Sequence, residues 1–204
     1  MFVIVDYGVG NLRSIQNMLK KAGITSSITG NKSDIINAQK LLLPGMGHFD
    51  HCMNRFNNSG LRSIVEDKVL KEKIPVLGIC VGLQMFMQGS EEGNVQGLGW
   101  LKGETVRFRS EQMKEAQKIP NMGWMDTTPA KRSPLLNSLE DARFYFAHSY
   151  HILPGQKEDE LITAEYGYSF CAGIEKQNIM GVQFHPEKSH RFGMQLLKNF
   201  GVNY

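Results

Sequence analysis

Cysteine is scarce. The 204-residue chain has three, Cys52, Cys80 and Cys171, so at least one thiol stays unpaired and there is no disulfide framework. That scarcity points to a reducing compartment. Long apolar runs are missing as well: no stretch approaches the ~20 residues that a membrane-spanning helix needs. The N-terminus opens directly into Phe-Val-Ile-Val at 2–5, with no basic leader, long apolar region or cleavage site. A cytoplasmic protein with no membrane attachment is expected. Charge of one sign is also lacking, since 23 basic against 20 acidic residues leave a formal +3 spread along the chain. That balance argues against nucleic acid as a partner. Internal repeats and linkers are absent, so 1–204 reads as a single domain. Its 41% hydrophobic content is ordinary for a chain that buries a core without disulfide or metal staples.

What is present is an alternation of strands and helices. The apolar run 2–5 is expected to be a parallel strand buried on both faces. Asn11 is a candidate cap for a helix whose Leu12, Ile15, Met18 and Leu19 share one face, with Gly23 as its stop signal. A strand at 26–29, a short helix at 33–38, a strand at 40–43 and an amphipathic helix at 61–70 follow. Later strands are expected at 105–109, 143–146, 161–166, 169–175 and 179–183, and a closing helix at 189–199. The charged stretch 109–118 reads as an exposed, mobile loop. This order predicts a layered α/β fold. Gly8 and Gly10 after the first strand hint at a dinucleotide site, but the third glycine of that fingerprint is missing.

The stretch 75–84, Pro-Val-Leu-Gly-Ile-Cys-Val-Gly-Leu-Gln, organises the rest. Its first five residues suit a short buried strand, and helical spacing resumes from Gly82 to Met87. Cys80 stands between them with Gly78 and Gly82 at i−2 and i+2, the layout of a nucleophile elbow. A cysteine at a helix start is favoured as thiolate. A buried cysteine acting as a small hydrophobe fits the same residues, and the local pattern does not choose between them.

A nucleophilic thiol needs a base and something to orient that base. His185 and Glu187 lie in Gly-Val-Gln-Phe-His-Pro-Glu at 181–187. Pro186 favours an extended His185, and residues two apart in extended chain point the same way. His48, Asp50, His51 and Cys52 raise a metal site, but no spaced partner pair appears elsewhere and structural zinc takes four ligands. No metal or cofactor is expected.

Taken with further stretches, these residues resemble a family. Gly-Ile-Cys-Val-Gly-Leu-Gln around Cys80 and His-Pro-Glu at 185–187 look like the triad of class I glutamine amidotransferases. Asp-Tyr-Gly-Val-Gly-Asn-Leu at 6–12, Leu-Pro-Gly-Met-Gly-His-Phe at 43–49, Met-Gly-Trp at 122–124 and Phe-Tyr-Phe-Ala-His-Ser-Tyr at 144–150 narrow the likeness to the glutaminase subunits of imidazole glycerol phosphate synthases. The resemblance runs through nearly the whole chain, with the motifs in matching order.

It implies a flavodoxin-like sheet, mostly parallel and flanked by helices, with extra antiparallel strands. It also implies hydrolysis of L-glutamine to glutamate and ammonia. Cys80, His185 and Glu187 would be catalytic, with the Met46 and Val81 amides as oxyanion hole. Gly45, Gly47, Gln84, Ser149 and Tyr150 would contact glutamine. Asn11, Trp124 and Lys188 would face the partner, a TIM-barrel cyclase that receives the ammonia in a heterodimer and whose ligand raises an otherwise weak activity. Asn121 and Met125 depart from the subfamily, which usually carries His and Asn there. In the family that segment lies against the partner, so the departure is expected to bear on partner recognition, and it motivates an alternative: a paralogue feeding a sugar-modifying amidotransferase in surface polysaccharide synthesis.

Overall fold

The computed structural model describes residues 1–113 and 117–204. The continuous apolar runs become its central strands: β1 (Phe2–Val5), β3 (Lys40–Gly45), β4 (Val76–Cys80) and β11 (Ile179–Val182). Every residue of β1, β4 and β11 is buried. Burial on both faces is why these strands read as unbroken hydrophobic sequence rather than as alternation. With β2 (Ser27–Thr29) at the edge they form a parallel block in the order β2-β1-β3-β4-β11.

Beyond β11 the sheet turns antiparallel through β10 (Tyr168–Lys176), β9 (Glu160–Tyr166), β6 (Asn121–Pro129) and β7 (Arg143–His148). A side ladder of β5 (Gly103–Arg107) and β8 (Tyr150–Pro154) attaches to β10. The sheet is therefore mixed, with a larger antiparallel share than expected. Neither β6 nor β8 was foreseen. The missed β6 alternates strictly, with Asn121 buried and Met122 and Trp124 exposed, a half-buried pattern.

The helices are α1 (Leu12–Lys21), α2 (Lys32–Ile36), α3 (Phe49–Asn58), α4 (Arg62–Glu66), α5 (Val81–Gln84) and α6 (His190–Asn203). α1 buries Ile15 and Leu19 as its spacing predicts, but the Asn11 side chain makes no capping bond. The helix predicted at 61–70 is α4 continued by a π-helical turn, Asp67–Lys71. Within the charged stretch, Ser110–Gln112 forms an exposed 3₁₀ turn, and Arg109 pairs with Glu91 at 2.7 Å; 114–116 lie outside the described residues. Among the described residues no helix is long and apolar enough to cross a membrane. The strand order sends the ends of β3, β4 and β11 to one edge of the sheet, where open α/β sheets carry their sites.

Candidate active site

Cys80 ends β4 and starts α5 with φ +54° and ψ −114°, a strained conformation for a residue with a Cβ. Glycines make room for it. A methyl group on Gly78 would sit 2.8 Å from the Leu83 backbone, and one on Gly82 would sit 2.0 Å from the Leu43 carbonyl oxygen. The elbow is thus pressed onto β3, and helical chain is confined to four residues rather than the six expected.

His185 follows β11. Its N–H donates to the Tyr145 carbonyl at 2.9 Å, and its own carbonyl accepts from Ser189 Oγ at 2.6 Å. The backbone of His185 is extended, but Pro186–Lys188 then closes a 3₁₀ turn. Glu187 therefore reaches back through a turn, not through strand alternation. His185 Nδ1 lies 2.9 Å from Glu187 Oε1, and both side chains are buried. Burial pulls the His185 pKa down. Hydrogen bonds and charges from Cys80 and Glu187 outweigh it and raise the value to about 10. The residues are thus arranged for an imidazolium held between Cys80 and Glu187.

A cleft of about 400 Å³ opens over these groups, lined in part by Met46, Gly47, Val81, Ser149, Tyr150 and Lys188. A larger, open concavity at 129–140 contains none of them. Val81 begins α5, so its N–H has no partner within the helix. Gly45 pairs with Cys80 across β3 and β4, and Gly47 takes φ +88°. Gln84 is buried against the cleft; its Nε2 donates to the Tyr150 carbonyl at 3.1 Å, and its Oε1 has no partner among the described residues. The Ser149 carbonyl accepts from the Phe108 N–H at 3.1 Å.

The structure also gathers residues that the sequence did not single out. Glu92 lines the cleft and accepts from the Phe49 N–H at 2.8 Å. Gln183 Nε2 lies 3.7 Å from Cys80 Sγ. His148 lines the cleft with its pKa lowered to about 3 by burial, reinforced by His151 and His185. His148 and Gln183 lie inside the family motifs, but only strand register brings Gln183 to the thiol and His148 to the cleft. Glu92 sat in polar chain with no signal of its own.

Trp124 stacks on His190 at 5.4 Å, and at the cleft wall Lys188 Nζ stands 5.6 Å above the Tyr145 ring. Asn11 is partly exposed at the head of α1. Asn121 is 2% exposed, so it faces inward. His48 accepts from the Asp50 N–H, Asp50 accepts from the Asn94 and Val95 N–H groups, and buried Cys52 donates to the Met46 carbonyl at 3.4 Å. Among the described residues no three His, Cys, Asp or Glu side chains gather as a metal set.

The family model for class I glutamine amidotransferases matches residues 3–204. The chain belongs to the class I glutamine amidotransferase family. It is 44% identical over 201 residues to imidazole glycerol phosphate synthase subunit HisH 2 of Pseudomonas aeruginosa, covering 98% of each chain. It is 47% identical over 201 residues to the HisH subunit of Bdellovibrio bacteriovorus, again over 98% of each. Among solved structures it resembles PurLQS from Thermotoga maritima, with a TM-score of 0.72 at 19% identity over 100% of this chain and 97% of that one. A crystal structure of a glutamine amidotransferase gives 0.71 at 18% identity, over 96% of this chain and 98% of that one. At those identities the structural likeness concerns the fold.

Proposed function

We propose that this chain is the glutaminase subunit of an imidazole glycerol phosphate synthase, hydrolysing L-glutamine and passing ammonia to a separate cyclase subunit. The observation that carries this reading is the approach of His185, held by Glu187, to a cysteine on a strained elbow. The shared name of the relatives favours it over the sugar-modifying alternative.

In this reading the Cys80 thiolate attacks the side-chain carboxamide carbon, and the Met46 and Val81 amides hold the resulting oxyanion. Collapse breaks the C–N bond while His185 delivers its proton to the departing nitrogen. The charge on Cys80 is part of what raises the His185 pKa. Thioester formation removes that charge and makes the imidazolium a better acid when the leaving group needs one. His185 then takes a proton from water, which attacks the thioester and frees glutamate. Glu187 keeps the imidazole proton on Nδ1 and supports its charge. The substrate's ends are held by Gln84 Oε1, by backbone at Gly45, Gly47, Ser149 and Tyr150, and by the Glu92 carboxylate facing the α-ammonium.

We assign the exposed face of Trp124 with Lys188 and Asn11 to the partner, a TIM-barrel cyclase in a heterodimer, and place the protein in the cytoplasm. Ammonia is largely protonated near neutral pH, so direct transfer through a docked partner preserves its nucleophilicity. The test is glutamate release by the purified chain, alone and with a candidate cyclase and its nucleotide ligand, with Cys80→Ala as blank. Stimulation lost in the mutant supports the reading. Cys80-dependent release that the cyclase leaves unchanged overturns the assigned partner.

A further inference from the structure

A buried line of polar groups runs from β6 to the Cys80 sulfur, and one atom reveals its direction. The Tyr150 carbonyl oxygen can only accept. It takes Gln84 Nε2 at 3.1 Å and His148 Nδ1 at 2.8 Å, which uses both lone pairs. On one side, Gln84 must therefore present its amide nitrogen. That nitrogen also lies 3.1 Å from Gln183 Oε1, so the Gln183 Nε2–H group is left to face Cys80 Sγ. On the other side, His148 must carry a proton on Nδ1. Burial keeps the ring neutral, so Nε2 is an acceptor. Asn121 meets it with Nδ2 at 3.3 Å, and the same amide group approaches Met125 Sδ, another acceptor, at 2.9 Å. The two departures from the subfamily thus touch each other, and Asn121 also touches the histidine.

We propose that Asn121 is a positioning residue for the glutamine pocket: its amide holds His148 in the Nδ1–H tautomer, and that tautomer fixes the Tyr150 carbonyl against which Gln84 and Gln183 are oriented beside Cys80. The proposal deepens the glutaminase reading and rests on it for the substrate. Strand alternation places this inward role on the strand that carries Trp124 outward.

The test is nitrogen-resolved NMR of the histidine side chains in the full chain, with His148→Gln to assign the signal. The wild type is expected to show His148 neutral, protonated on Nδ1, between pH 5 and 8. Asn121→Leu removes the donor and should yield a mixture of tautomers and raise KM for glutamine about tenfold, the scale of one lost buried hydrogen bond, with a smaller change in kcat. Asn121→Asp offers only an acceptor. It should draw a second proton onto Nε2, giving an imidazolium that keeps the Nδ1–H donor and a KM within about twofold of wild type. This second variant decides the matter if the leucine variant does not fold. An Nε2–H tautomer in the wild type, or a His148 signal unchanged in the variants, overturns the proposal. The tautomer is read without substrate, so it is judged separately from glutaminase activity.

Discussion

Gly45 and Gly82 stand so close that a methyl group on Gly45 would lie 2.3 Å from the Gly82 nitrogen. The two glycines lock the end of β3 against the first turn after Cys80. The space between them is shorter than any Cβ contact allows, and both neighbours are backbone.

Gly45→Ala is therefore expected to cost about 1–3 kcal/mol by overpacking, lowering the melting midpoint by roughly 3–10 °C. It should also slow iodoacetamide labelling of Cys80, because the elbow itself must move. Gly47 is the control. A Cβ there meets nothing within 4 Å, and only its φ of +88° resists substitution. Gly47→Ala should lose about 1–2 kcal/mol to backbone strain while Cys80 labels at the wild-type rate. Equal labelling in both variants would refute the account of the elbow.

The three thiols are all buried, so exposure does not distinguish them. Their surroundings do. Burial raises the Cys52 pKa to about 11 and pushes that of Cys171 higher still, whereas Cys80 lies against His185 and lines the cleft. At pH 7.5, iodoacetamide is expected to modify the native chain once, at Cys80. Peptide mass spectrometry checks this, and modification of Cys171 first would contradict it.

The raised His185 pKa has a consequence for stability. A group whose pKa is higher folded than unfolded stabilises the fold fully below its unfolded value, near ~6.5 for histidine. That contribution fades as pH climbs toward the folded value, here about 10. Glu187→Gln removes one of the partners that raise it. The variant should be less stable than wild type by about 1–3 kcal/mol at pH 6, the scale of a hydrogen bond to a charged group. The gap should shrink steadily toward pH 10. Urea denaturation at several pH values measures it, and a gap that widens with pH would exclude the imidazolium.

Much of this site was legible because its main features are local. The apolar run ending in Gly-Ile-Cys-Val-Gly gave β4, the elbow and the start of α5 from chain chemistry alone, and the glycine clashes explain why that order works. The pairing of His185 with Glu187 was foreseen, though through extended chain where a 3₁₀ turn makes it. What depended on register was not legible. Asn121 was expected to bear on the partner because the family sets its whole segment there, yet odd and even positions of a strand face opposite ways, and Asn121 faces in while Trp124 faces out. Gln183 and His148 acquire their neighbours only when β11 and β7 take their places in the sheet.

Glu92 is the clearest residue that only the folded chain reveals. It lines the same cleft as Cys80, where among the described residues no other carboxylate lines the wall, and its Oε2 is tethered by the Phe49 N–H. An amino-acid substrate brings an α-ammonium, and a fixed carboxylate is the group that binds one by a charge-assisted hydrogen bond. Glu92→Gln keeps the size and the acceptor toward Phe49 but loses the charge. At about 1.5–3 kcal/mol for such a bond, KM for glutamine should rise by roughly 10- to 150-fold. The rate of Cys80 alkylation should stay unchanged, because iodoacetamide has no ammonium to hold. Steady-state glutamate release across a glutamine series, with alkylation measured on the same preparation, decides it: an unchanged KM would remove Glu92 from the substrate site, and slowed alkylation would mean that it acts on the thiol instead.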